Sequence, residues 1–358
     1  MLTPPSSENP GRLDRREVLR AGAVSIAIPW FISGPSLAAR GSRANDTIGI
    51  GIIGLGIRGR RLMNQLMDRD DVRIVGVSEI AGPRLLAAMK AVEDKDGAPC
   101  AGYLAYEDLL ERRDLDAVVI ATHDSTHARP AILAARRGLD IYCEKPLALT
   151  ISEGRRISDA VRAGQVVFQT GSQQRSEYGG LFRTACEHVR NGRIGPIERI
   201  EVGVGDPPVP CDLPEEDTPA GYDWERWLSG SPARGFHEIL CPRGVHGHYP
   251  QWRQYAEYGN GPFADMGAHH YDIAQWAMDT DHTGPIRILP PERADGSRAV
   301  RGLVMVYENG IEVAHGGRHG CTFHGRDGTI HVDRGVLEAS EASILEDPPG
   351  DGDLRLPV

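Results

Sequence analysis

Three features are missing from this sequence, and each absence excludes a class of protein. Its six cysteines include no Cys-x-x-Cys pair, which argues against a structural zinc site or a dithiol redox motif. The net charge of −10 lacks the basic excess with which nucleic-acid-binding proteins contact phosphates. Beyond residue 40, no apolar run approaches the roughly 20 residues that a membrane span needs. What remains is a chain long enough for two domains with buried cores.

The most informative stretch is a short apolar strand that breaks into a glycine-rich turn. Residues 47–53 precede Gly54-x-Gly56-x-x-Gly59, and a helical pattern follows. In a dinucleotide site the first glycine permits the turn and the second lets a pyrophosphate approach the backbone. The third lets the helix pack close to the strand. An ordinary glycine-rich turn is the alternative, but the strand–turn–helix order favours dinucleotide binding.

The second predicted strand supports this interpretation. It ends at Glu79, roughly 20 residues beyond the last glycine, where a carboxylate can bind a ribose 2′-hydroxyl. Glu79 would repel a 2′-phosphate, so we expect NAD as the cofactor. Arg84 lies close enough in sequence to keep NADP possible.

Further alternating strands and helices extend this domain. Buried strands are predicted over 116–122 and 140–143, with a helix between them. In a doubly wound parallel sheet, ligands lie at the carboxyl ends of the strands. Thr122, His123 and Lys145 fall at such ends, and Lys145 is held between an acid and a proline. Lys145 is therefore a candidate functional lysine, with an ordinary surface lysine as the alternative.

A second candidate cluster lies on a predicted helix. Asp265, His269, Asp272 and Trp276 are spaced to form one stripe along it. A carboxylate one turn before an imidazole can orient the ring and raise its basicity, which suits a general base. The alternative is a packed helix in which Asp265 is a cap and His269 a core residue.

The histidines do not predict a metal site. His269 and His270 point more than a quarter-turn apart on a helix, so they would rarely bind one ion together. His246 and His248 can share a face, but we expect no protein-bound metal. A pocket for a polyol is the better interpretation, with core packing as the alternative for the tryptophans. Its candidate lining residues are Arg175, Trp224, Trp252 and Arg253.

We predict two domains after the N-terminal segment. Residues 46–147 form an α/β Rossmann domain with a doubly wound parallel sheet, and residues 148–358 form an α+β domain. The second domain should have a mostly antiparallel, open sheet, because Asn309-Gly310 between apolar runs is a hairpin signal. Its predicted strands are Ile197–Val202, Ile286–Leu289, Ala299–Tyr307 and Ile311–Ala314.

Residues 1–40 have the layout of an export signal. Arg15 and Arg16 precede a short apolar run over 21–31, and small residues at 36–39 offer cleavage sites. This predicts a twin-arginine signal peptide, and therefore a periplasmic or otherwise exported protein that engages the twin-arginine translocase. That route carries folded proteins, which suits a chain that binds its cofactor before export. A membrane anchor and a chance basic N-terminus are the alternatives.

Several of these motifs together resemble the Gfo/Idh/MocA family of glucose–fructose oxidoreductases and inositol dehydrogenases. The resemblance runs from about residue 47 to residue 354 and is closest to secreted, sugar-active members, NAD-dependent glycosidases among them. The chain ends earlier than most members, so its C-terminal domain is expected to be short for the family. The matching motifs are Gly54-x-Gly56-x-x-Gly59, 116–122, Glu144-Lys145-Pro146, 169–176, 223–228 and 261–272.

This resemblance implies a set of site residues and a dimer formed through the C-terminal sheet. The catalytic residues would be Lys145, Asp265 and His269. The cofactor would bind Gly54, Gly56, Ile57, Arg58, Gly59, Glu79, Thr122, His123, His127 and Glu144. The substrate would bind Lys145, Asp265 and His269, together with Arg175, Trp252 and Arg253, which are assigned to it by the chemistry of their side chains. One departure is His123, which stands where the family usually has proline, so this loop is expected to meet the cofactor differently.

Three functions are compatible with these residues. The favoured one is an NAD(P)-dependent oxidoreductase acting on a secondary hydroxyl of a sugar or polyol. The second is a glycosidase that uses tightly bound NAD through transient oxidation of the sugar. The third is an inactive sugar-binding or assembly protein.

Overall fold

The computed structural model describes residues 47–292, 299–346, 350 and 352–357. The predicted export signal, residues 1–40, lies outside the described residues. Within them, no helix is long and apolar enough to cross a membrane.

The first domain alternates strands and helices, as its periodic sequence predicts. The helices carry polar residues outward, whereas β1 is apolar and buried beyond its first residue. Its elements are β1 (Ile48–Ile53), α1 (Ile57–Met67), β2 (Val72–Ser78), α2 (Gly82–Asp96), β3 (Ala101–Tyr103), α3 (Tyr106–Leu110), β4 (Ala117–Ile120), α4 (Ala128–Arg136), β5 (Asp140–Cys143), α5 (Ile151–Gly164) and β6 (Phe168–Thr170).

The six strands form one parallel sheet in the order β3-β2-β1-β4-β5-β6. The chain winds outward in both directions from β1, so the predicted doubly wound sheet is confirmed. Separate apolar clusters cover its faces, one including Ile120 and the other Val77. The carboxyl ends of β1, β4 and β5 meet at one edge, which brings the glycine turn, Thr122 and Lys145 to the same side.

This sheet continues past residue 147, where the sequence placed the domain boundary. α5 begins at a capping box in which the Thr150 hydroxyl accepts the Glu153 amide at 3.2 Å, and the Glu153 carboxylate accepts the Thr150 amide at 3.0 Å. β6 then pairs in parallel with β5. A three-residue strand carries too little periodicity to be recognised from sequence.

The second domain is the predicted α+β unit. Its antiparallel sheet has the order β12-β11-β10-β9-β8, with β7 paired to β10, and helices α6 and α8 cover one face around Phe182, Ile273 and Phe323. Its elements are α6 (Leu181–Arg190), β7 (Ile197–Gly203), α7 (Trp224–Leu228), α8 (Gly261–Ala277), β8 (Arg287–Leu289), β9 (Val304–Val306), β10 (Glu312–Gly325), β11 (Gly328–Asp333), β12 (Val336–Ala339) and α9 (Ser343–Glu346). Short 3₁₀ turns occupy Asp124–Thr126, Gln173–Arg175, Tyr178–Gly180 and Gln251–Gln254.

Two predicted strands differ in extent from the structure. Within 299–307 only Val304–Val306 is a strand, because Gly302 has φ of 105° and turns the backbone away from extended geometry. The strand predicted over 311–314 continues to Gly325, with a bulged register between His315 and His319. The predicted hairpin at Asn309-Gly310 does join β9 to β10.

Residues 204–260 link β7 to α8 and form a segment that we call the cap. The cap contacts the first domain through a β-bridge between Ala81 and Tyr222 and a hydrogen bond from the Gly82 amide to the Gly221 carbonyl at 2.9 Å. Its aromatic core contains Trp224, Trp227, Phe236, Trp252 and Tyr258. The cap therefore lies beside the carboxyl edge of the parallel sheet.

Candidate functional site

A cavity of about 530 Å³ lies between the glycine turn and the cap. From the first domain it is lined by Gly54, Gly56 and Thr122, and from the cap by Trp227 and Trp252. Its volume is in the range of protein ligand pockets, roughly 300–1,000 Å³. It also lies at β1, where the strand order of the sheet reverses. Open α/β sheets bind their ligands at this position.

The three glycines have the geometry that a dinucleotide turn requires. Gly54 has φ of 87°, and a Cβ there would lie 2.8 Å from the Ala121 carbonyl oxygen. A Cβ on Gly59 would overlap the Gly54 carbonyl, so α1 packs directly on the turn. At Gly56 a Cβ would meet no described atom within 4 Å. Gly56 therefore leaves open space at the start of α1, where the helix amides can face a pyrophosphate.

Glu79 is fixed by three donors. Its carboxylate accepts the Leu55 amide at 2.7 Å, the Ala81 amide at 3.0 Å and the Arg84 guanidinium at 3.1 Å. Burial opposes the charge of Arg84, but Glu79 and the Cys241 sulfur outweigh it and raise the pKa of Arg84. Arg84 also donates to the Pro242 carbonyl at 2.9 Å. Because these hydrogen bonds occupy the Arg84 guanidinium, it is not free to bind a 2′-phosphate. This arrangement favours NAD over NADP.

The polar loop after β4 contains a threonine that lines the cavity and two histidines held by the protein. Within the described ranges, the Thr122 Oγ1 is buried and has no hydrogen-bond partner. His123 pairs with the Trp227 carbonyl at 2.9 Å and with Ser125 Oγ at 2.9 Å, and burial lowers its pKa to about 3. His127 pairs with the carbonyls of Pro146 and Thr122, at 2.8 and 3.2 Å. His123 lines the cavity, whereas His127 holds the backbone around it.

Arg58 and Glu144 form a second pair at this edge of the sheet. Arg58 lines the cavity and donates from Nε to Glu144 at 2.6 Å, and Tyr142 donates to the same carboxylate oxygen at 3.3 Å. Ile57 also lines the cavity. Glu144 therefore positions Arg58.

Lys145 and Asp265 are brought together from two domains. Lys145 Nζ donates to the Asp265 carboxylate at 2.6 Å and to its backbone carbonyl at 2.7 Å. Arg253 Nε lies 3.7 Å from the same carboxylate. Although burial opposes ionisation, Lys145 and Arg253 hold the pKa of Asp265 below its usual range. Arg253 lines the cavity, so it connects this cluster to the cofactor region.

His269 is positioned differently from the sequence prediction. It is buried, and its Nδ1 has no hydrogen-bond partner among the described residues, so the expected orientation by Asp265 is replaced by the Asp265–Lys145 pair. Burial and the charge of Lys145 lower the pKa of His269 to about 3. The imidazole is therefore neutral at neutral pH.

Arg175 has a structural role rather than a place at the cavity. Its guanidinium binds Asp272 at 2.7 and 2.8 Å and Asp281 at 2.8 Å, and lies 4.9 Å from the centre of the Trp276 ring. Two carboxylates thus occupy the donors that the sequence assigned to a sugar. By contrast, Trp252 and Arg253 line the cavity, and Trp224 packs against Trp227 at 4.5 Å in the cap.

Asp124 is a site residue that the sequence analysis missed. It is almost fully buried, and burial together with the Asp265 charge raises its pKa to about 7, against the opposing effect of Arg253 and Lys145. The Asn260 backbone amide also donates to it. Its position three residues before His127, in a polar loop at a strand end, was the available signal. The partly buried cluster of Lys145, Arg253, Asp265 and Asp124 therefore contains two cations and two carboxyls.

We expect Asp124→Asn to stabilise the protein, and more so as the pH rises. The folded-state pKa is above the unfolded value, so folding favours the protonated carboxyl, and the resulting destabilisation grows as pH rises through the folded pKa. Between about pH 5 and pH 8 this amounts to roughly 3 kcal/mol. Thermal unfolding of both proteins at the two pH values measures it, with Asp140→Asn as an exposed control. A difference in stability between the wild type and Asp124→Asn that does not change with pH would contradict the raised pKa of Asp124.

The fold and the cavity define a two-domain protein with a dinucleotide site. Comparison of the sequence with models of known protein families identifies its family. The oxidoreductase family model with an NAD-binding Rossmann fold (Gfo/Idh/MocA) matches residues 48–172. The model of its C-terminal α/β domain matches residues 210–331. Together they cover more than half of the sequence. The chain belongs to the Gfo/Idh/MocA oxidoreductase family.

Two curated relatives represent different activities within this family. The myo-inositol 2-dehydrogenase of Thermotoga maritima is 30% identical over 164 residues, which cover 46% of this chain and 47% of the relative. A glycosyl hydrolase family 109 protein of Stenotrophomonas maltophilia is 28% identical over 255 residues, covering 65% of this chain and 54% of the relative. The chain thus spans about half the length of these relatives.

Solved structures share the fold. The WlbA dehydrogenase of Bordetella pertussis, in complex with NADH and UDP-GlcNAcA, has a TM-score of 0.55 and 19% identity, covering 81% of this chain and 75% of that one. An NAD-binding protein of Listeria innocua has a TM-score of 0.55 and 21% identity, covering 86% and 80%.

Proposed function

We propose that this protein oxidises a secondary hydroxyl of a sugar or polyol with NAD. The observation that carries the proposal is the pairing of Lys145 with Asp265 beside His269, in a cluster that Arg253 joins to the cavity. When bound, the nicotinamide supplies the hydride acceptor. Relatives named as inositol dehydrogenases support a polyol as the substrate class.

The residues divide the remaining chemistry between them. Lys145 donates a hydrogen bond to the reacting oxygen and stabilises its developing negative charge. We assign the acceptance of the hydroxyl proton to His269, whose neutral imidazole lies beside the charges of Lys145 and Asp265. Asp265 holds the ammonium of Lys145 in place, and the buried surroundings exclude water that would compete for the same proton.

A glycosidase that retains its NAD is the second candidate, and the cap favours it. Arg60 donates to the His246 carbonyl at 2.6 Å, and Arg84 donates to the Pro242 carbonyl at 2.9 Å, so two arginines of the first domain hold residues 242–246 beside the glycine turn. A cofactor in the cavity would lie against this segment, because Pro242 and His246 line the cavity. Retention suits a reaction that oxidises a sugar and then reduces it again. The family 109 relative supports the same alternative.

One experiment separates the two candidates. The purified protein is denatured and its released nucleotide identified by mass spectrometry, and the native protein is then incubated with inositols, free sugars and nitrophenyl glycosides. We expect NAD to be released. Accumulation of NADH with a polyol supports the dehydrogenase, whereas release of nitrophenol without net NADH supports the glycosidase. If no nicotinamide nucleotide is released and added NAD does not bind, both proposals are wrong.

A further inference from the structure

A second cluster of chemically active side chains lies on the sheet side of α8. It consists of His270 on α8, His319 on β10 and Asp333 at the end of β11. One nitrogen from each histidine and one carboxylate oxygen all lie within 4.8 Å of one another. His270 Nε2 is 3.9 Å from Asp333, and His319 Nδ1 is 2.9 Å from Asp333. The proposed reaction uses none of these three residues.

His270 carries the observation that points to a ligand. Its side chain is fully buried, and in the described part of the chain its Nε2 has no hydrogen-bond partner. Buried nitrogens are nearly always paired, because an unmade bond in the interior costs about 1–3 kcal/mol. This nitrogen lies 3.9 Å from Asp333, and the ring centres of His270 and His319 are 5.1 Å apart. The missing partner of Nε2 therefore belongs between these three residues.

We propose that His270, His319 and Asp333 bind a divalent transition-metal ion of the zinc type. Two imidazoles and one carboxylate are a donor set that such ions favour, with water completing the coordination. Atoms that bind one ion at about 2.0–2.2 Å lie closer to one another than 4.8 Å. The ligand atoms must therefore approach one another when an ion binds. His319 is half-exposed, so its ring can move inward to close the site.

The hydrogen bonds around His270 show what must change when an ion binds. Gln174 Nε2 lies 3.0 Å from His270 Nδ1, and Arg334 Nε donates to Gln174 Oε1 at 3.1 Å. A metal on Nε2 requires the ring proton on Nδ1, so Gln174 must turn its oxygen toward the ring. That turn releases Arg334, and the positive charge of the ion favours its departure. Gln174 is thus the residue that orients the ligating ring.

The site joins elements that are distant in sequence, which is why sequence spacing does not reveal it. His269 and His270 are adjacent on α8, and each belongs to a different cluster because successive side chains point about 100° apart. A bound ion would link α8 to β10 and β11. The ion should therefore raise the thermal midpoint of unfolding in a concentration-dependent way.

Titration of the chelator-treated full chain tests the proposal. Zn²⁺ binding is followed by calorimetry and by thermal unfolding, and Co²⁺ binding by its visible absorption. We expect His319→Ala and Asp333→Asn each to weaken Zn²⁺ binding at least about 10-fold. Circular dichroism verifies that the variants fold. His324→Ala, which removes another histidine of β10, is the matched control and should bind Zn²⁺ like the wild type.

A fourth variant tests the orientation of the ring. Gln174→Glu offers a carboxylate to both His270 Nδ1 and Arg334, and we expect it to tighten Zn²⁺ binding about 10-fold. Weaker binding in this variant would show that Nε2 is not the ligand. The proposal is also overturned if the wild type binds no Zn²⁺, or if His319→Ala and Asp333→Asn bind it as tightly as the wild type.

Discussion

Replacing Lys145 by methionine should lower turnover by about 10²–10⁴-fold while NAD binding persists. The methionine keeps the length and apolar stem of the side chain but removes the only group that bonds both the carboxylate and the carbonyl of Asp265 in the described structure. The reacting oxygen then loses its charge-stabilising donor. Steady-state kinetics with the substrate found in the sugar panel, together with calorimetry for NAD, measure the two effects separately.

Two further variants define what this result means. Lys90→Met removes an exposed lysine whose partner is Asp94 on the surface of α2, and it should leave turnover unchanged. His269→Ala should lose activity in the same range as Lys145→Met, because it removes the proton acceptor. Wild-type turnover in Lys145→Met and His269→Ala would show that the chemistry takes place elsewhere, without affecting the cofactor assignment.

Replacing Gly56 by valine should abolish NAD binding without unfolding the protein. Gly56 has φ of −61° and ψ of −172°, an extended conformation that valine adopts readily. Its Cβ would meet no described protein atom within 4 Å, so the new side chain extends into the cavity at the start of α1. That space is required by the pyrophosphate. Calorimetry with NAD measures the loss, and thermal unfolding without cofactor verifies the fold.

Gly59→Ala is the matched comparison and should fail for a different reason. Its Cβ would overlap the Gly54 carbonyl, so α1 must move away from the sheet. We expect a lower thermal midpoint in Gly59→Ala and a midpoint close to that of the wild type in Gly56→Val. Normal NAD affinity in Gly56→Val would place the cofactor elsewhere.

The sequence predicts the parallel sheet well because its signals are local. The glycine turn, the apolar strands and the helices between them each occupy a few consecutive residues. Lys145 is recognisable for the same reason, since it directly follows a strand. β6 was not predictable, because three residues are too few to show a period.

The partners within the site depend on contacts between distant segments. Asp265 precedes His269 by one helical turn, yet the hydrogen bond that its carboxylate accepts comes from Lys145 of the first domain. Arg175 was assigned to a sugar because its type suits hydroxyl groups, whereas the fold places two carboxylates around it. Sequence reasoning identifies the residue types of a site but not which of them neutralise one another.

The partly buried cluster of Lys145, Arg253, Asp265 and Asp124 affects the charge balance during the reaction. With Asp124 protonated, two cations face one carboxylate, and the cluster has a charge of +1. A substrate oxygen that gives up its proton to His269 brings −1 to the cluster and leaves +1 on the imidazole, so the four-residue cluster itself becomes neutral at that moment. When Asp124 is ionised, the resting cluster is already neutral, and the same oxygen takes it to −1 beside the charged imidazole. Asp124 thus sets the electrostatic state from which proton transfer begins.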